Sequence, residues 1–422
     1  MRTPYLRCDH CGATYPVLSP RADCSCGGLL SVEQAPRESG RALRARFDAR
    51  RRDGDAAVGG SGVWRFRELL LGGRGATLTH PEGNTALYRR DAIARYVGLE
   101  DLALKHEGEN PTGSFKDRGM TVAATQAARA GATAVACAST GNTSASMAAY
   151  AAQAGLPALV FVPAGKVAAG KLAQALAYGA RTLLVEGDFD ACLRLVREAS
   201  EALGIALLNS INPWRLEGQK TIVFEMLQQR GWDPPDWIVV PAGNLGNTSA
   251  FGKALREAKA LGLIRRVPRV AAVQAAGANP FYRSFRGGFR KRFTVEADTV
   301  ATAIRIGDPA SHDRAVRTIR ETNGVVTQAS DREILEAKAV VDAAGIGCEP
   351  ASAASVAGAR RLRREGVIGP GESVVAILTG NVLKDPGVVM EYHARPGTHR
   401  NPPVAIAPRL SEVERLLKRW RA

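Results

Sequence analysis

The chain has 422 residues, enough to bury a large core and to build more than one domain. Its hydrophobic content of 45% and charged content of 23% are those of a soluble globular protein. No apolar run reaches the ~18 residues of a membrane span, and Met1-Arg2-Thr3-Pro4 opens no apolar leader, so a cytoplasmic location is expected. The net charge of +16 is spread along the chain, with local runs at Arg41–Arg52, Arg283–Arg292 and Arg360–Arg364. With no nucleic-acid motif beside them, these runs read as solvated surface.

In chain order, the first feature is a cysteine knuckle. Cys8 and Cys11, then Cys24 and Cys26, form two pairs each followed by glycine. Four thiolates satisfy tetrahedral zinc, so residues 1–33 are expected to form a zinc-ribbon-like knuckle, with His10 as a bystander. The alternative is four free thiols, since the second pair is C-x-C. The other three of the seven cysteines, Cys137, Cys192 and Cys348, lie singly in apolar surroundings, which is not a disulfide framework. Residues 34–78 are rich in Arg and Gly and read as a helical linker.

The core begins near Thr79. Short β-branched runs at 133–138, 158–162, 181–185, 237–240, 270–274 and 374–378 alternate with helical patterns such as 144–154 and 189–203. This alternation predicts an α/β fold with largely parallel sheets, ligands binding beyond the carboxyl ends of the strands. The tail 393–422 is basic and ends in an amphipathic helix at 410–420, expected to dock on the body or on a second subunit.

Four segments carry candidate chemistry. Asn110-Pro111-Thr112-Gly113-Ser114-Phe115-Lys116-Asp117-Arg118-Gly119 sets one lysine in a polar turn ahead of an Ala-rich helix, where its amine could form a Schiff base with a carbonyl. Ser139-Thr140-Gly141-Asn142-Thr143-Ser144 follows a strand and opens a helix, suiting a carboxylate or phosphate; plain helix capping is the simpler alternative. Gly243-Asn244-Leu245-Gly246-Asn247 has the glycines and backbone amides to wrap a phosphate and is not a nucleoside-triphosphate loop. Thr379, ending an apolar run, offers a hydroxyl that can bond a neutral ring nitrogen or cap a helix. Together these are the parts of a pyridoxal-phosphate (PLP) site.

From about Thr79 to Pro386 the chain resembles the threonine synthase family of fold type II PLP enzymes. The resemblance rests on Asn110–Gly119, Ser139–Ser146, Asn209–Thr221, Gly243–Asn247, Thr302–Pro309, Glu349–Ala357 and Thr379–Pro386. Asn209-Ser210-Ile211-Asn212-Pro213-Trp214-Arg215 favours the synthases over the dehydratases. The resemblance implies two three-layer α/β/α domains within 79–392, the smaller (roughly 124–216) nested in the larger, in an enzyme that usually forms a homodimer. It implies that Lys116 carries PLP and shuttles protons, that Asn142 contacts the cofactor's 3′-oxygen, that Gly243, Asn244, Leu245, Gly246 and Asn247 cradle its phosphate, and that Thr379 faces its ring nitrogen. Ser139, Thr140 and Thr143 would meet the substrate's anionic groups, and Asn209, Ser210 and Arg215 would hold its phosphate. The implied reaction converts O-phospho-L-homoserine and water to L-threonine and phosphate, with no nucleic-acid or membrane partner. Related readings are a threonine or serine dehydratase, a cysteate synthase, or a catalytically dead regulatory or nucleic-acid-binding relative.

Overall fold

The computed structural model describes residues 4–421 apart from 20, 35, 37, 72–74, 166–168 and 397–398; the opening Met1-Arg2-Thr3 lies outside the described residues. Among the described residues, thirteen strands form three sheets. Strands β1 (Tyr5–Cys8), β2 (Thr14–Pro16) and β3 (Leu30–Glu33) make a small antiparallel sheet in the order β2-β1-β3. Strands β4 (Leu87–Tyr88) and β5 (Leu102–His106) lead into a second group, β6 (Ala134–Ala138), β7 (Ala158–Pro163), β8 (Arg181–Val185) and β9 (Ile205–Leu207). The last strands are β10 (Trp237–Pro241), β11 (Arg269–Ala275), β12 (Val325–Ala329) and β13 (Val374–Leu378). The large sheet runs β12-β11-β10-β13-β5-β4, parallel except for β4, and the smaller one runs β8-β7-β6-β9, all parallel.

Side-chain alternation with period two explains the layering. On β10, Ile238 and Val240 enter a core with Phe224, Phe251 and Leu255, while Trp237 and Val239 enter one with Ile334, Val341 and Val356 on the other face. The smaller sheet divides in the same way. Val135 and Cys137 pack with Met120 and Met147, while Ala136 and Ala138 pack with Cys192 and Val196. Strands buried on both faces read as continuous apolar runs, which is why they are visible in the sequence.

Within the stretch 34–78, residues 40–71 depart from expectation: they are packed into the body and are not a spacer. A helix at Gly40–Arg52, capped by Ser39, buries Leu43 and Phe47 against Phe66 and Leu69 in the core of the large sheet. Trp64 enters the core of the smaller sheet. Two of the arginines that made the segment look solvated are buried and paired: Arg50 donates to Glu68 at 2.8 Å, and Arg65 donates to Asp55.

Candidate active site

The loops after β6, β9, β10 and β13 and the turn after β5 converge beyond the carboxyl ends of their strands. Lys116 is the first residue of the helix Lys116–Arg129. The turn before it needs Gly113 at φ +83°, a conformation open to glycine and costly for other residues. Asp117 fastens this turn: it accepts from the Thr112 backbone at 2.7 Å, the Thr112 hydroxyl at 2.6 Å and Ser146 Oγ. Phe115 N–H donates to the Thr379 carbonyl at 3.0 Å, stitching the turn to the end of β13. Behind the turn lies a buried charge network in which Arg118 bridges Glu107 and Glu225, and Glu225 in turn pairs with Lys105.

Lys116 Nζ stands 4.3 Å from the centroid of the Phe115 ring. Burial lowers its pKa to about 7; the nearby Arg215 charge adds to the fall and Glu349 opposes it. Arg215 is fully buried in the helix Pro213–Gln219, and burial lowers its pKa to about 10. It donates from Nη1 to the Leu208 carbonyl at 3.3 Å, while Nε and Nη2 are buried without a partner. A buried guanidinium with two unmatched donor nitrogens is costly unless an anion arrives.

The loop after β6 leads to the helix Asn142–Ala154, whose first turn receives no side-chain cap. Ser139, Thr140, Asn142 and Thr143 are all half-buried there. The capping alternative for this loop therefore fails, and the first-turn N–H groups of a long helix face the cleft. The loop after β10 opens the helix Gly246–Ala260, again without a side-chain cap. A Cβ on Gly243 would meet Ile304 Cα at 2.9 Å, and Leu245 sits at φ +64°. The Asn247 Oδ1 and Thr248 Oγ1 atoms are buried and unpaired. Two uncapped helix starts, a close-wrapped loop and unmatched polar atoms fit a phosphorylated cofactor.

Asn244 and Ser210 are joined, Asn244 Nδ2 donating to Ser210 Oγ while its Oδ1 accepts from Ala310 N at 2.6 Å. Asn209 is tied to the smaller sheet. Its Oδ1 accepts from Ala138 N at 3.0 Å and its Nδ2 donates to Ala138 O at 3.2 Å, so its amide is engaged by the end of β6. Thr379 is buried, its Oγ1 2.9 Å from Ser352 Oγ. Two residues at the site had no assigned part in the sequence, Ser352 and Glu349. Both lie in the Glu349–Ala357 segment that contributes to the resemblance, where an acidic residue stands before a proline that opens an Ala/Ser-rich helix.

The cysteine cluster lies apart from this site. The Sγ atoms of Cys8, Cys11, Cys24 and Cys26 all lie within 4.8 Å of one another, with Cys8–Cys26 and Cys11–Cys24 each at 3.6 Å. These are free thiols at the spacing of a tetrahedral sulfur cage. A Cβ on Gly28 would come 2.6 Å from Cys8 Sγ, so glycine is needed for the cage to close. His10 Nδ1 is 3.7 Å from Cys26 Sγ, beside the cage and not one of its four corners.

Comparison with known proteins shows the family. The family described as "Pyridoxal-phosphate dependent enzyme" matches residues 78–380. A threonine synthase of Methanosarcina acetivorans is 46% identical over 396 residues, covering 93% of this chain and 95% of that protein. A chloroplastic threonine synthase 2 of Arabidopsis thaliana is 39% identical and covers 93% of this chain and 80% of its own length. The crystal structure of threonine synthase from Escherichia coli superposes with a TM-score of 0.72 at 19% identity, covering 97% of this chain and 94% of that one, a likeness of fold.

Proposed function

The chain belongs to the threonine synthase family of pyridoxal-phosphate-dependent enzymes, and from that premise we propose how its residues convert O-phospho-L-homoserine and water to L-threonine and phosphate. The observation that carries the proposal is Arg215: a buried guanidinium with unmatched donors beside a lysine whose pKa falls to about 7.

Pyridoxal phosphate, when bound, supplies an electron sink for charge that develops on the substrate carbons. Lys116 would hold it at its aldehyde carbon, residues 243–247 at its phosphate, Asn142 at the 3′-oxygen and Thr379 at the ring nitrogen. Ser139, Thr140, Thr143 and the uncapped Asn142 helix receive the substrate carboxylate. Arg215 and Ser210 grip the substrate phosphate, Arg215 through its planar fork. Asn209 contributes by holding the Ala138 peptide, which supports the loop between the two anion sites. Lys116 Nζ, freed when the substrate amine takes its place at the aldehyde carbon, takes the α-proton and then a β-proton; it returns protons to the γ- and α-carbons as phosphate leaves the γ-carbon and water gives its hydroxyl to the β-carbon.

Several further assignments belong to the same proposal. The four parallel strands between 134 and 207 support a small unit at 124–216 nested in the large one. The sulfur cage supports a structural zinc on Cys8, Cys11, Cys24 and Cys26. Exposed Leu383, Met390 and Leu410 support a homodimer. No described helix is long and apolar enough to cross a membrane.

The test is phosphate release by the purified holoenzyme from O-phospho-L-homoserine, with threonine identified as product. Faster turnover of phosphoserine, threonine or serine would replace the substrate assignment. Lys116→Ala is expected to lose both turnover and the visible absorbance of bound cofactor; normal turnover in that variant would sink the role of Lys116.

A further inference from the structure

One buried carboxyl at the site has no part in the chemistry above. Glu349 is 4% exposed and stands just before Pro350, at the start of the helix Pro350–Arg364. Its carboxylate does not cap that helix. Instead Oε2 accepts from Asn142 Nδ2 at 3.0 Å, and Oε1 accepts from Thr379 Oγ1 at 3.3 Å. The carboxyl is wedged in place: Glu349 N–H donates to the Gly380 carbonyl at 3.0 Å, and a Cβ on Gly380 would lie 2.5 Å from its Cδ. One side chain thus joins two residues separated by 237 positions along the chain, Asn142 and Thr379, that are assigned to opposite edges of the cofactor ring.

The direction of each bond follows from a count of donors. Ser352 Oγ accepts from Thr379 N at 2.8 Å and from Gly380 N at 2.9 Å. Both of its lone pairs are then used, so toward Thr379 Oγ1 it can only donate. Thr379 must give its own proton elsewhere, and Glu349 Oε1 is the acceptor at hand. At 3.3 Å that bond is long for an O–H donor, so the proton can turn to a ring nitrogen while Ser352 keeps the oxygen in place. On the other side, an acceptor at Oε2 fixes the NH2 end of Asn142 toward Glu349 and leaves the second N–H of the same amide as a donor.

We infer that Glu349 is a positioning residue of the cofactor site, whose carboxyl orients the Asn142 amide toward the cofactor and gives the Thr379 proton a weak resting acceptor until a ring nitrogen takes it. The inference rests on the reading of those two residues as cofactor contacts. Gln is the informative replacement. It keeps the shape but offers one acceptor and one donor, so it cannot accept from both partners.

The test is titration of the apoprotein with pyridoxal phosphate for wild type, Glu349→Gln, Asn142→Ala and the double variant, followed by the visible spectrum. Glu349→Gln is expected to weaken cofactor binding about tenfold, as for loss of a hydrogen bond to a charged group, and to shift the absorbance maximum. The melting temperature of the apoprotein should stay unchanged. In the Asn142→Ala background the same substitution should cost less, because part of its action runs through that amide. Wild-type affinity and spectrum in Glu349→Gln overturn the inference. So does a fall in apoprotein melting temperature with strictly additive losses, which marks a structural role only. Should Glu349→Gln fail to fold, Glu349→Asp, which keeps the charge and shortens the reach, is expected to weaken binding in the same direction; unchanged binding there overturns the inference equally. If Asn142→Ala alone leaves cofactor affinity unchanged, the reading of Asn142 as a cofactor contact fails first and takes the inference with it.

Discussion

Lys116 and Arg215 are two buried basic groups close enough for the charge of Arg215 to depress the Lys116 pKa. The amine of Lys116 has its pKa lowered from 10.5 to about 7. It is neutral above that value and an ammonium below it, and only the neutral form attacks an aldehyde. Capture of pyridoxal phosphate by the apoprotein should therefore speed up as pH rises from 5 and level off above about 7 to 8, as followed by visible absorbance. A rate still climbing tenfold per unit at pH 9 would contradict the low pKa. Stability carries the same sign. Between the folded pKa and the ordinary one the unfolded chain binds more protons, so this group's contribution improves as pH rises through that window. Lys116→Met should accordingly stabilise the apoprotein more at pH 7 than at pH 10.5. Arg215 poses the converse trade. Arg215→Met removes an unmatched buried charge and should leave the apoprotein equally or more stable, by about 1 kcal/mol. The same change should lower kcat/KM for phosphohomoserine about 100-fold, the worth of a bidentate charged contact. A loss of stability with little loss of kcat/KM would place Arg215 in the framework and outside the substrate pocket.

The helices Lys116–Arg129 and Pro213–Gln219 are what bring those two residues together. They cross in backbone contact: a Cβ on Gly218 would lie 1.7 Å from the Arg118 carbonyl, and one on Gly119 2.9 Å from that of Arg215. Gly218→Ala must push the helices apart, with a cost of about 1–3 kcal/mol from overpacking and a separation of Lys116 from Arg215. Thermal melts and kcat/KM should fall together; a variant that melts normally and turns over normally would show that the crossing has slack. This crossing was not legible beforehand, since Gly119 and Gly218 lie in separate motifs and nothing in either names the other. The strands were legible because burial on both faces writes unbroken β-branched runs, as at Val374–Leu378. Lys116 and the loop at 243–247 were legible because a turn before a helix has its own local chemistry. Glu349 was hidden, since its meaning comes from Asn142 and Thr379, which fold brings to it from distant segments. The packing of 40–71 was hidden for a different reason. Arginine-rich composition reads as surface, whereas Arg50 and Arg65 are buried on carboxylates.

At the scale of the whole molecule, the knuckle is joined to the catalytic body and does not hang from it. Leu6, Cys8, Cys24, Leu30 and Val32 share a core with Trp64, Met120 and Ala123, so two of the cage's four cysteines lie in the hydrophobic core behind the Lys116 helix. Polar ties reinforce the join. Arg314 donates to the Leu30 carbonyl at 2.7 Å and pairs with Asp9. Lys253, on the helix that starts at the 243–247 loop, donates to the Val32 carbonyl and pairs with Glu217 on the Arg215 helix. Four thiolates drawn together repel one another unless a cation neutralises them, so the cage should hold one zinc per chain and its loss should be felt in the core it shares. Cys11→Ser and Cys26→Ser, at the two exposed corners, leave the buried packing of Cys8 and Cys24 intact. Each should lower the zinc content measured by atomic absorption and lower the melting temperature by roughly 5 °C or more. Chelation of the wild type should do the same, and resupplied zinc should restore it. Because Lys253 and Glu217 tie β3 to the Arg215 helix and to the helix after the 243–247 loop, kcat/KM should fall with the metal, less steeply than stability. Protein that purifies without zinc and melts unchanged in both serine variants would mean that the four sulfurs are ordinary thiols, and that core packing alone holds the N-terminal sheet against the body.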